Sequence, residues 1–97
     1  MTGYPEVVNN IIRDEMALRG EVIRNDLEGV KRCVGRGVDI HAADDWAVQL
    51  AAGKGYIEIV KYLVSQGADI HADEDYALYL AEKGGHDDVA DHLRTLK

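Results

Sequence analysis

The 97 residues are 46% hydrophobic and 30% charged, an ordinary globular balance, and carry a net charge of −7. No apolar run approaches the ~18 residues of a membrane span, the N-terminus MTGYPEVVNN lacks the basic-then-apolar layout of a signal peptide, and the lone Cys33 has no internal disulfide partner. One small intracellular domain, cytoplasmic and without a membrane partner, is therefore expected.

The charge is unevenly divided. Up to Val38, six acids match six bases, whereas from Asp39 onward twelve acids face only Lys54, Lys61, Lys83, Arg94 and Lys97. Such a surface repels phosphate backbones and steers basic partners inward, so direct nucleic-acid binding is not expected.

In chain order, Pro5 suits a first helical position, and Val7, Val8, Ile11 and Ile12 give an apolar side to a capping segment over residues 1–15. Residues 16–36 follow as a first unit whose register is ambiguous. Gly20 and Glu21 fall where Leu50 and Ala51 align, which implies either degeneracy or an offset. Cys33 aligns with Leu63 and Leu93 and is expected to pack as a small hydrophobe.

Residues 37–66 then form a second unit and residues 67–97 a third. GVDIHAADDWAVQLAAGKG over 37–55 recurs in outline as GADIHADEDYALYLAEKGG over 67–85. His41 and His71, Trp46 and Tyr76, Leu50 and Leu80, and Gly55 and Gly85 are each 30 positions apart. A period of this size marks a solenoid, whose units bury their apolar faces only by stacking on one another.

Within the second unit, Ala47, Val48, Leu50, Ala51 and Ala52 make a short helix of small residues. Asp45 stands before it as a candidate N-cap, and Gly53 with Gly55 is expected to end it. A second helix begins near Tyr56, with Ile57, Val60, Leu63 and Val64 at i, i+3 and i+4 spacing, and Gly67 stops it as a left-handed C-cap. A polar connector from Ala68 to Asp75 leads to the next helix start at Tyr76. In the last helix Asp87 and Arg94 replace Ile57 and Val64, as suits the end of a stack, and Asp88 stands four residues before His92, the spacing of a solvated ion pair.

Constellations for catalysis are poor. Ser65 is the only serine and has no histidine at a suggestive spacing, and Gly53-Lys54-Gly55 lacks the strand and remaining positions of a phosphate loop. Asp73 and Asp75 begin like a calcium loop, but Leu78 and Gly84 stand where it needs glycine and glutamate. His41 and His71 suit tying the connector backbone together, or a ladder that responds to mild acid. No catalytic residue, metal or cofactor is expected, and an enzyme is not indicated.

The residues Gly55 to Ala72, GYIEIVKYLVSQGADIHA, resemble the G-H-L-E-V-V-K-x-L-L-x-x-G-A-D-V-N-A signature of the ankyrin repeat family. Asn25-Asp26-Leu27-Glu28 with Gly37-Val38-Asp39-Ile40 is similar to it again, as is Gly85-His86 with Val89 and Leu93. The resemblance implies an all-α solenoid of about three stacked helix-turn-helix units with polar caps. Its usual unit of about 33 residues is shortened here, and Trp46-Ala47-Val48-Gln49 and Tyr76-Ala77-Leu78-Tyr79 stand where T-P-L-H is usual. The fingers are thus expected to be stubby loops, not β-hairpins.

What such proteins grip with their loop tips and first helices implies a partner-binding set of Asp44, Asp45, Trp46, Gln49, Lys54, Asp73, Glu74, Asp75, Tyr76, Tyr79 and Lys83. The implied partner is another protein with a basic surface, and the chain itself is expected to be a monomer or a homodimer. The compact units are also similar to those encoded by large DNA viruses and some phages. That likeness implies two alternatives to a general interaction module. One is an inhibitor whose carboxylates mimic phosphates against a host nucleic-acid-binding or defence protein, such as a CRISPR-type effector. The other is a structural, self-assembling unit.

Overall fold

The computed structural model describes residues 17–96, apart from the side chains of residues 42–44, and no strand occurs among the described residues. The expected N-terminal capping segment, with Pro5, Val7, Val8, Ile11 and Ile12, lies outside them. Helix α1 is described over 17–23, and α2 (Leu27–Gly35), α3 (Ala42–Lys54), α4 (Ile57–Ser65), α5 (Ala72–Lys83) and α6 (Asp87–Thr95) follow. They form two rows. α3 packs on α5 in the inner row, α4 lies between α2 and α6 in the outer row, and α3 and α5 also pack on the outer helices that follow them, α4 and α6.

Side-chain size accounts for the close inner row. Ala47, Ala51, Ala52, Ala77 and Ala81 are all buried, and helices lined by methyl groups approach one another closely. Gly53 serves the same end: it does not terminate α3, which runs on to Lys54, and a Cβ there would lie 3.3 Å from that of Leu80. The outer helices bury one stripe each, formed by Val30 and Cys33, then Ile59, Val60 and Leu63, then Val89, Ala90 and Leu93. Cys33 thus packs as a hydrophobe.

The first unit keeps the straight register. Leu18 and Val22 are buried where Val48 and Ala52 are buried 30 positions later, so no offset is present. The apparent mismatch at Glu21 is resolved by charge, because its carboxylate pairs with Arg24 and approaches Arg32. Asn25 (φ 57°) takes the left-handed position that Gly55 holds at φ 78°. Asparagine tolerates that conformation. At Gly55 no side chain would fit, since a Cβ would lie 2.5 Å from Nδ1 of His86. Gly67 ends α4 at φ 96°, as its place after the apolar stripe predicts.

Two sets of polar contacts join successive units. Tyr56 and His86, the residues before α4 and α6, reach back to the inner helix of the preceding unit: the Tyr56 hydroxyl donates to the Ile23 carbonyl at 3.4 Å and Nε2 of His86 to the Gly53 carbonyl at 3.0 Å. The second set lies in the fingers. The Asp45 side chain is no helix cap, as its place before the apolar run suggests. Its Oδ1 instead accepts from the Asp69 N–H of the next unit (3.0 Å) and from Nδ1 of His41 (2.7 Å). Asp39 and Asp69 accept from the backbone N–H groups of His41 and His71 at 2.8 and 2.9 Å, which closes each connector into a tight turn. The connector backbone is thus tied by the aspartates, whereas the histidine rings bond the side chains of Asp45 and Asp75.

At the C-terminal end Asp87 and Arg94 are exposed, in keeping with a polar cap. Arg94 pairs with Glu82 (2.6 Å) and Asp91 (2.8 Å), and its hydrogen bond to Glu82 raises the guanidinium pKa. Asp88 forms no ion pair with His92 among the described residues. Its carboxylate accepts from the Val89 N–H at 2.8 Å, satisfying a donor of the first helical turn.

The stubby fingers are backbone of unusual hand. Although α5 spans Ala72–Lys83, Asp73, Glu74 and Asp75 have φ of 56°, 58° and 63°, so its right-handed part begins at Tyr76. A left-handed residue with a Cβ costs about 1–2 kcal/mol. Glu74→Gly should therefore raise the unfolding free energy by about 0.5–1 kcal/mol after the glycine's own entropic cost, measured by urea denaturation. Asp45→Ala should lower it by about 1–3 kcal/mol more than Asp75→Ala. The two positions share a left-handed backbone (φ 61° and 63°), and only Asp45 bonds to a following unit.

Candidate functional site

The exposed side of the inner helices repeats in rows set by the 30-residue period. Arg19, Gln49 and Tyr79 occupy one row, and Ile23, Gly53 and Lys83 another. Between α1, α3 and α5 lies an open groove of about 330 Å3 lined by Arg19, Ile23, Trp46, Gln49, Leu50 and Leu80. Trp46 is half-buried, packs on the core, and carries the Arg19 guanidinium 5.2 Å from its ring centroid. Its indole thus forms part of the groove floor.

Beyond the groove the surface changes character. Tyr76 and Tyr79 are 39% and 51% exposed and stack with centroids 5.7 Å apart and planes 15° from parallel. A stacked pair turned to solvent on a small helical domain is a large, rigid apolar surface with two hydroxyls at its edge. The left-handed turn of Asp73, Glu74 and Asp75 precedes it directly, and all three side chains are exposed. The aromatic pair and the carboxylates thus follow one another along the chain at the start of α5, all of them exposed.

The anticipated set therefore divides. Tyr76, Tyr79, Asp73, Glu74 and Asp75 gather at the last finger, Trp46 and Gln49 belong to the groove, and Lys54 and Lys83 are exposed in the last turns of their helices. Asp44 lies outside the described side chains. Asp45 is displaced from the set: it is 6% exposed and its carboxylate is engaged within the protein. Arg19 and Ile23, which belong to the surface, are absent from the anticipated set. Ile23 is 49% exposed, and its place in the row with Gly53 and Lys83 was the signal that marks it.

Among the described residues no three His, Cys, Asp or Glu side chains gather to hold a metal ion. Ser65 donates to the Tyr62 carbonyl at 2.5 Å, and Cys33 is buried. No helix among the described residues is long and apolar enough to cross a membrane.

A family model for ankyrin repeats, in three copies, matches residues 16–96. No curated protein and no solved structure matches the chain. With the match spanning nearly the whole sequence and the helix pairs stacked in two rows at one period, the chain belongs to the ankyrin repeat family.

Proposed function

We propose that this protein is a non-enzymatic binding module that engages a basic patch on another protein through its last finger and the adjoining groove. Ankyrin repeats are generally protein–protein interaction modules, and the finer reading rests on the surface itself. The observation that carries it is the exposed Tyr76–Tyr79 stack set directly beside Asp73 and Glu74. Tyrosines in such a position supply anchoring area, and their faces attract arginine or lysine, while the carboxylates orient a cation and speed its approach. The groove at Trp46 and Leu50 receives a neighbouring apolar side chain of the same partner.

The acid excess of the second and third units works in the same direction. Twelve carboxylates against five bases from Asp39 onward form a negative field over the half of the chain that bears the aromatic pair. A partner that itself binds nucleic acid presents the complementary basic surface, which is how the phosphate-mimicking inhibitor relates to this reading as a narrower case.

The test is binding to an array of basic and control peptides, followed by capture of a full-length partner. Tyr76→Ala and Tyr79→Ala should each weaken binding by about 2 kcal/mol, the scale of an interface anchor. Asp73→Asn with Glu74→Gln should chiefly slow association and flatten the salt dependence. Unchanged affinity in both the tyrosine and the carboxylate variants, with circular dichroism showing a native fold, would discard this surface as the site.

A further inference from the structure

The C-terminal edge of the stack is closed on one side and open on the other. The outer helix α6 is capped by Asp87 and by the Arg94 network, but the inner side still presents the residues that earlier units bury. Ile40 and Val48 are 6% and 0% exposed beneath the following unit, whereas Ile70 and Leu78, at the same register, are only partly covered. The Asp45 side chain is 8% exposed where it accepts from the next connector, while that of Asp75, held by His71 in the same way, is 55% exposed. These residues line a groove of about 420 Å3, with Leu93, Arg94 and Leu96 along its far wall. Among the described residues, none covers the continuation of the inter-unit interface at this edge.

We propose that a second copy of this chain covers the edge, tail to tail across a two-fold axis. The edge itself argues for this occupant, because it joins apolar residues, Ile70, Leu78 and Leu96, to side chains of both charges, Asp75 and Arg94. Its layout is self-complementary. Asp75 and Ile70 stand on the connector side of the groove and Arg94 and Leu96 on the α6 side, so a two-fold through the groove sets Arg94 against the partner copy's Asp75 and Leu96 against its Ile70. The rim thus carries both signs, unlike the acidic last finger, which repels its own copy.

Salt separates this contact from partner binding. Two chains of charge −7 repel one another, so screening should favour the dimer while it weakens capture of a basic partner.

Sedimentation equilibrium of the full chain across a concentration series tests the proposal. The expected result is a monomer–dimer equilibrium that tightens between ~50 mM and ~500 mM salt. Leu96→Glu should abolish it, and Tyr79→Ala should leave it unchanged. Asp75→Arg and Arg94→Asp should each weaken dimerisation about tenfold or more, and the two together should restore it, because the reversed charges again face one another across the axis. That recovery cannot come from a fold weakened by either change. A monomer at every concentration overturns the proposal, as does a dimer indifferent to Leu96→Glu or a double reversal without recovery.

Discussion

Where the second and third units meet, a carboxylate sits out of reach of water. A buried charge is costly unless its lone pairs are used, and Asp45 uses them on the Asp69 N–H and on His41. Both partners lie in connectors, so the bond sets where each finger stands relative to the next. The left-handed backbone at Asp45 places the carboxylate just past the turn, and the Asp39 and Asp69 side chains hold the turns themselves. A shortened finger has no β-hairpin to space the units, and a side chain does it instead.

The same constraint explains why two similar aspartates have different fates. Asp45 and Asp75 share a position in the period, a histidine partner and a left-handed φ, and they differ in what lies beyond them. With a unit stacked on it, the carboxylate is a structural acceptor. Without one, it is an exposed carboxylate, paired with His71, at the margin of an apolar groove. Position in the array, not the local residue, decides between scaffold and surface.

That division also distributes the large side chains. The inner row is packed through alanine and glycine, which leaves its solvent side to a few large residues: Arg19 over Trp46 in the groove and the Tyr76–Tyr79 stack at the last finger. Small residues within and rings without are two consequences of one packing solution. The aromatic pair stands on the same helix as buried Ala77 and Ala81, and the carboxylates ahead of it are carried on a turn of constrained backbone.

Period, helix pairing, the outer stripes, the hydrophobic role of Cys33 and the loss of the hairpin are all legible in the residues, because each follows from spacing within a few turns or from one unit laid against the next. The aromatic positions at Trp46, Tyr76 and Tyr79 were legible too, but not that the first would be half-buried and the other two stacked in the open. The tertiary structure alone decided that Asp45 bridges two units instead of capping a helix and that His86 reaches the Gly53 carbonyl. The bonds of Asp45 and His86 join residues 24 and 33 positions apart. Local periodicity determines which face of a helix is apolar, whereas the partner of a polar group depends on which neighbour the stacked backbone brings within about 3 Å.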